Sequence, residues 1–293
     1  MVYHNRPLYT LNFLTNFIKK MMSAATKRSR SPSSDMEDKK KPRNVDYSIH
    51  TLEKAFKLFQ ASNDENADFI LKRYETTKAA CTTDTKPDNL TIILLEGLDA
   101  SGKSTIAEQL RTLDFNMVFV YKTPPSSVGK YRAYFDKQTD TLFRRSYYLI
   151  ANYIAHYELF SLATMLSNEK IAVIMDRFYP STIVYGHTEE FRDIASPQYM
   201  NIEWPEDLIK PDTIIYTKCD KKVRDTRLIA RKDELTAEER RLIEDPDYEN
   251  FLSECYRYFF EYINLPVITI DTSENPNIKT VLMRELPEGF LKC

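Results

Sequence analysis

The chain has 293 residues, a formal net charge of −2 and four cysteines. Such a length carries one α/β domain of about 200 residues with a core stable without staples, plus an extension. The near-neutral balance excludes a surface built throughout for nucleic acid, and no uninterrupted apolar run reaches the ~20 residues of a membrane span, so membrane insertion is excluded too. Cys81, Cys219, Cys255 and Cys293 show no metal-ligand spacing and read as ordinary thiols of a reducing compartment.

The first 34 residues contain no Asp or Glu but carry Arg6, Lys19, Lys20, Lys27, Arg28 and Arg30. Within residues 1–22, Leu11, Phe13, Leu14, Phe17, Ile18 and Met21 fall on one helical face beside Lys19 and Lys20, the pattern of a mitochondrial targeting segment. The basic clusters at 27–30 and 39–43, in a disordered polar linker over 23–44, resemble a nuclear localisation patch instead. Initiation at Met22 would remove the amphipathic stretch and leave a nuclear or cytoplasmic form. Over 45–88 the spacing of Leu52, Ala55, Phe56 and Phe59, then Phe69, Ile70 and Tyr74, predicts a helical extension of two segments broken near 62–64.

Residues 89–293 form the expected main domain. Residues 91–105 read TIILLEGLDASGKST: a buried-type strand, then a loop that fits G-x-x-x-x-G-K-[ST] at every fixed position, then a helical pattern. Gly97, Leu98, Asp99, Ala100, Ser101, Gly102, Lys103, Ser104 and Thr105 are therefore expected to bind the phosphates of a nucleoside triphosphate, which the resemblance given below makes ATP. The backbone N–H groups of such a loop must converge on phosphate oxygens, a nest that side chains at Gly97 or Gly102 would obstruct. Lys103 reaches the β and γ phosphates, Ser104 offers a hydroxyl to Mg²⁺, and the following helix adds its positive end.

Further strands are predicted at 117–121, 172–176, 213–217 and 267–271, with a long helix over 141–166 and helices from about 221 to 262. This alternation predicts a parallel β-sheet of the phosphate-loop NTPase type with helices on both faces and a ligand site at the carboxyl ends of the strands. Asp176 and Arg177 end one strand there: the carboxylate suits Mg²⁺ and the guanidinium can bridge two phosphates bidentately. Arg224, Arg227, Arg231 and Lys232 recur at helical spacing ahead of the charged stretch 233–241 and read as a lid that closes over the transferring group, or as a solvated charged helix.

The loop at Glu96–Ser104, the segment Asp176–Ser181 and the arginines around 227 and 231 together resemble the thymidylate kinase family of nucleoside monophosphate kinases. Thr123–Arg132, Phe143–Arg145, Asn152–Tyr153 and Trp204–Asp212 are most similar to its mitochondrial UMP/CMP kinase branch. The resemblance covers roughly residues 90 to 285. It implies a phosphotransferase moving phosphate from Mg²⁺·ATP to a pyrimidine nucleoside monophosphate such as UMP, CMP, dUMP or dCMP. It also implies that Lys103, Arg177 and Arg231 are catalytic, that Ser104 and Asp176 hold the metal, and that Asp99 faces the acceptor sugar. Arg132, Arg144, Arg145, Tyr148 and Asn152 carry over as further acceptor-side residues. Tyr153 stands where thymidylate kinases usually have Arg after the Asn of the base-binding helix, which favours cytosine or uracil over thymine. Tyr147, Tyr148 and Tyr153 are candidate stacking partners for the base, or else an aromatic helix face buried in the core or in a homodimer contact.

Thymidylate phosphorylation is the alternative within this class. Outside it stand a GTPase, suggested by Thr217–Asp220 but lacking a D-x-x-G switch after Asp176, and a non-catalytic nucleotide-binding protein. A deoxynucleoside kinase would want a carboxylate base after the second strand, and residues 121–127 contain none. Asp220 fits better as a helix N-cap than as a guanine reader.

Overall fold

A computed structural model describes residues 51–111, 117–231, 235–274, 280, 281 and 284. The proposed targeting segment and linker, Leu113 and Lys232 lie outside the described residues. Among the described residues the fold is built on five parallel strands: β1 (Leu90–Gly97), β2 (Met117–Lys122), β3 (Ile171–Asp176), β4 (Thr213–Lys218) and β5 (Val267–Asp271), in the order β2-β3-β1-β4-β5. Their near-continuous Ile, Leu and Val runs suit strands covered on both faces.

Alternation along each strand divides the interior in two. Ile93, Leu95, Ile174, Ile215, Ile268 and Ile270 face helix α3 (Lys103–Leu110), which contributes Ile106, Ala107 and Leu110. Ile92, Leu94, Val173, Met175, Ile214 and Tyr216 face the larger cluster. That side holds α1 (Leu52–Ala61), α2 (Glu65–Ala80), α6 (Thr141–Met165), α7 (Tyr179–Phe191) and α10 (Pro246–Tyr262). Two short helices, α4 (Ser126–Gly129) and α5 (Arg132–Asp136), lie between β2 and α6; α8 (Lys221–Ile229) and α9 (Ala237–Glu244) lie between β4 and α10.

Helix starts follow their caps. Thr51, Asp64, Asp140, Asp220 and Asp245 each accept a bond from a first-turn N–H of α1, α2, α6, α8 and α10. Thr236 and Glu239 form a reciprocal capping box on α9. Asp220 is thus an N-cap, as its place before the apolar-periodic stretch predicts.

The extension at 52–80 is an integral layer. Ala55, Phe59, Ala67, Ile70 and Tyr74 share one core cluster with α6, where Tyr147, Leu149, Ile150, Ile154 and Leu159 are buried. On α6 the exposed large apolar side chains among the described residues are Leu142 and Met165, near its two ends. Among the described residues no helix is long and apolar enough to cross a membrane.

Candidate active site

The phosphate loop turns from β1 into α3 through a run of left-handed residues: Gly97 at φ 140°, Ala100 at 59° and Gly102 at 89°. Only glycine fits the first position. A Cβ there would stand 2.3 Å from Thr217 Oγ1 and 2.5 Å from the Thr217 carbonyl oxygen, because the loop passes against the end of β4. Behind the loop, Ser101 and Thr217 share a hydrogen bond and the Ser101 carbonyl accepts from Thr272 Oγ1 at 2.8 Å. Lys103 folds back over the loop and donates to the carbonyls of Gly97 (3.0 Å) and Leu98 (2.7 Å). Burial, with Arg177 nearby, pushes its ammonium down to about 8, against the opposing pull of Asp99, Asp176 and Glu96.

Arg177 emerges from β3 in the left-handed region, at φ 67°, a conformation that costs a non-glycine residue about 1 kcal/mol or more. Bonds on both sides hold it there: its N–H donates to Leu95 O at 3.0 Å and its carbonyl accepts from Thr123 Oγ1 at 2.8 Å. Its guanidinium donates to Asp99 Oδ1 (2.7 Å), Ser181 Oγ (3.1 Å) and Tyr256 OH (3.2 Å). Burial alone would raise the Asp99 carboxyl; the charges of Arg177 and Lys103 outweigh it and hold that group far below the usual carboxylate range.

Beneath this pair sits Glu96, fully buried. Its carboxylate accepts from Phe178 N (2.8 Å), Ser181 Oγ (2.7 Å), Ser181 N (3.3 Å) and Tyr256 OH (3.3 Å). Burial raises its pKa, although Arg177 and these donors pull the other way. Glu96 thereby fixes the start of α7 beneath Arg177. Sequence reasoning quoted Glu96 and Ser181 only as motif members and missed Tyr256, 79 positions beyond Arg177 and without a local signal.

Two adjoining cavities open over these groups. The larger, about 630 Å³, runs along the phosphate loop and is lined by Lys103, Ser104, Asp176, Arg132, Arg227 and Arg231, among others. The smaller, about 50 Å³, is lined by Arg145, Tyr148, Asn152, Tyr185 and Glu238. Asp99, Arg132 and Arg177 border both. A third cavity of about 280 Å³, between β4 and α10, lies behind the phosphate loop and is lined by Leu98 and Ser101, which the structure places there and not on the wall of the larger cavity.

Most sequence-predicted residues meet at these cavities. Asn152 donates to Thr182 Oγ1 at 2.9 Å, and Tyr148, bonded to Asp136, presents its ring beside Arg145. Arg145 is held by Glu189 at 2.8 Å, with Glu238 of α9 at 3.5 Å.

Several expectations are corrected. Arg144 is not brought to either cavity: it is spent on Gln138 O and Glu189, both at 2.8 Å, because its place one residue before Arg145 turns it round α6. Tyr147 is no stacking partner for a base, being buried against Phe135 with its hydroxyl on Val128 O. Tyr153 likewise points away, to Asp207 at 2.7 Å. Arg224 turns inward to Glu249 at 3.0 Å and is buried, so the arginine row splits. Arg227 reaches Thr272 O at 2.7 Å and Arg231 pairs with Glu239 at 2.7 Å, both on the cavity wall.

Among the described residues no cluster of three or more His, Cys, Asp or Glu side chains makes a ready metal cage. Asp176 nevertheless keeps one buried carboxylate oxygen without a hydrogen-bond partner, on the same cavity wall as Ser104. A site of few protein oxygens completed by water and phosphate is the kind Mg²⁺ takes, so these residues fit it.

A central strand running into a phosphate loop, faced across two joined cavities by an arginine from the neighbouring strand, defines a phosphate-loop α/β fold with a built anion site. The thymidylate kinase family model matches residues 95–281, and the chain belongs to that family. Human mitochondrial UMP-CMP kinase 2 is 29% identical over 193 residues, 65% of this chain and 41% of that protein, so the chain spans less than half the length of that relative. Two similar solved structures are a deoxyadenosine kinase from M. mycoides, with products dCMP and a flexible dCDP bound, and a thymidylate kinase from Candida albicans. The first is 20% identical with a TM-score of 0.46, covering 66% of this chain and 96% of the other; the second is 18% identical with a TM-score of 0.42, covering 66% and 88%.

Proposed function

We propose that this chain transfers the γ-phosphoryl group of ATP to a pyrimidine nucleoside monophosphate, with UMP, CMP and their deoxy forms as acceptors. The observation that carries the reading is Arg177, whose side chain borders both the phosphate-loop cavity and the adjoining smaller one. A donor phosphate held over Lys103 and an acceptor phosphate near Arg132 would share that guanidinium. An acceptor phosphate is already ionised and needs no general base; the requirements are alignment and neutralisation of the charge on the migrating group. Lys103 and Arg177 supply positive charge on the wall of one cavity, and Arg231 adds to it from the α8–α9 connection.

Asp99, kept ionised by Arg177, suits the acceptor sugar hydroxyl, with Tyr148 and Asn152 on the base side and Arg145 beside them. Ser104 and Asp176 would hold Mg²⁺, which when bound screens the donor phosphates. The acid-free basic start of the chain, together with the mitochondrial relative, supports a mitochondrial address. A fluorescent fusion of residues 1–44 that enters mitochondria bears this out; a diffuse or nuclear one does not.

The test is a coupled ADP-release assay on the full chain with Mg²⁺·ATP and a panel of CMP, UMP, dCMP, dUMP, dTMP, AMP, GMP and the parent nucleosides. Turnover with CMP, UMP or their deoxy forms is expected. dTMP alone would move the chain to thymidylate phosphorylation, and turnover restricted to nucleosides would overturn the acceptor assignment.

A further inference from the structure

Arg132 reaches both cavities from α5, a helix of five residues preceded by one of four. Helices this short do not hold themselves in water, so their position must come from what they rest on. On the side away from the cavities they rest on the α1–α2 hairpin, which lies outside the family-matched residues 95–281.

The contacts are specific. Asp64 caps α2 through one carboxylate oxygen, accepting from Asn66 N and Ala67 N at 2.9 Å each, and takes the Tyr134 hydroxyl of α5 on the other. Phe59, fully buried in α1, stacks on Phe135 of α5 with centroids 5.4 Å apart and planes at 11°. Phe135 in turn stacks on Tyr147 at 4.4 Å, and the Tyr147 hydroxyl donates to Val128 O in α4. Phe69 of α2 meets Tyr131, the residue before Arg132, at 4.7 Å. Within α5, Asp136 accepts from Arg132 at 3.3 Å and from Tyr148 on the cavity wall.

We propose that the α1–α2 hairpin is a positioning element for the acceptor side of the site: Asp64 and Phe59 set α5 so that Arg132 faces the acceptor phosphate. None of the hairpin residues touches a cavity, so they act through α5. The inference rests on the acceptor reading given above, and the experiment separates the two.

Tyr134→Phe, Asp64→Ala and Asp64→Asn are compared in the full chain, with KM for the best monophosphate, KM for ATP, kcat and melting temperature measured for each. Loss of one hydrogen bond that sets α5 is expected to raise acceptor KM about fivefold in Tyr134→Phe and Asp64→Ala. KM for ATP and kcat stay within about twofold of the unaltered protein on the same grounds. Asp64→Asn keeps the capping oxygen but sets an NH2 where the second oxygen accepts from Tyr134, so acceptor KM rises as in Tyr134→Phe although the cap is retained. In an Arg132→Ala background, Tyr134→Phe produces no further rise, because the two act on one contact.

An unmoved acceptor KM, with or without a lower melting temperature, overturns the proposal and leaves the hairpin a packing layer. Equal rises in both KM values, or an additive effect on top of Arg132→Ala, overturn it as well. If the unaltered chain phosphorylates no monophosphate at all, the acceptor reading itself fails and the positioning role falls with it.

Discussion

Arg177 donates to the carboxylate of Asp99 at 2.7 Å, tying the loop after β3 to the phosphate loop after β1. The pair is largely withdrawn from water, with Tyr185 against the guanidinium at 5.4 Å from its ring centroid, so Arg177 is aimed before either substrate arrives. A charge that develops on a migrating phosphoryl group then meets a preset cation, the situation in which a single arginine is worth most. Arg177→Ala is expected to lower kcat by about 10³-fold or more. Arg177→Lys, which keeps the charge but loses the fork, should recover only a small part of it. Steady-state turnover beside an unchanged circular dichroism spectrum measures this; near-normal kcat in either variant removes Arg177 from the catalytic role.

Lys103 offers a pH test. In the ligand-free protein burial and Arg177 hold its ammonium at about 8, below the usual lysine value of 10.5. Only the protonated form neutralises phosphate, so bound ATP should draw the proton in and raise that value. KM for ATP is therefore expected to be flat below pH 8 and to climb up to tenfold per pH unit above it. Lys103→Arg stays charged throughout and should lose the climb even if its overall rate is low. A flat profile in the unaltered protein between pH 7 and 9.5 would contradict the placement of Lys103 on the donor phosphates.

The metal assignment rests on the unpartnered buried oxygen of Asp176. Asp176→Asn keeps the shape and removes the charge, so the Mg²⁺ concentration for half-maximal rate should rise at least about tenfold. Binding of Mn²⁺ in the presence of ATP, followed by water proton relaxation, should weaken in parallel, giving a readout independent of turnover. Unchanged Mn²⁺ binding would show that Asp176 serves only as a neighbour of Lys103.

Much of this site was legible in one sequence because its parts are local. Gly97, Gly102, Lys103 and Ser104 stand at spacings fixed by a single turn, and Asp176–Arg177 ends an apolar run whose burial is written in its composition. The central strands were legible for the same reason: β1 and β3, covered on both faces, read as apolar runs rich in Ile, Leu and Val, and the edge strands β2 and β5 as short β-branched or aromatic segments. What stayed hidden depends on side-chain direction and long-range contact. Arg144 and Arg145 are adjacent, yet a 100° step along α6 sends one to Gln138 O and the other to the cavity wall. Arg224 shares a helical row with Arg227, yet Glu249 on a separate helix draws it into the core. The hairpin at 52–80 reads as two packing helices, and its hold on Tyr134 through Asp64 joins positions 70 apart.

Gly97 is the strictest backbone requirement. Its φ of 140° and the 2.3 Å approach of Thr217 Oγ1 to a would-be Cβ leave no room for any side chain. Gly97→Ala should either prevent folding or shift β4 away from the loop, losing about 2 kcal/mol or more of stability. Gly102→Ala meets Thr272 at 3.3 Å with φ at 89° and should cost about 1 kcal/mol. Urea midpoints give the order, and a smaller loss at Gly97 than at Gly102 would refute the packing argument.

Glu238 closes the smaller cavity. Its carboxyl, raised above the usual range mainly by burial and also by Glu189, Asp99 and Asp136, lies 3.5 Å from Arg145. At about 50 Å³ that cavity is too small for a nucleotide base and sugar, so a base that enters it is expected to break this contact. The contact therefore opposes entry of an acceptor base into this cavity. Because the contact is long, at 3.5 Å, and Arg145 keeps its nearer partner Glu189 when it breaks, its cost is modest, about 1 kcal/mol or less. Glu238→Gln should accordingly lower acceptor KM by up to about fivefold with kcat unchanged. A rise in acceptor KM would mean instead that the carboxyl contacts the acceptor directly once it is bound. Comparing the variant on CMP and UMP then distinguishes the two, since loss of the Arg145 contact acts equally on both bases and a direct contact does not.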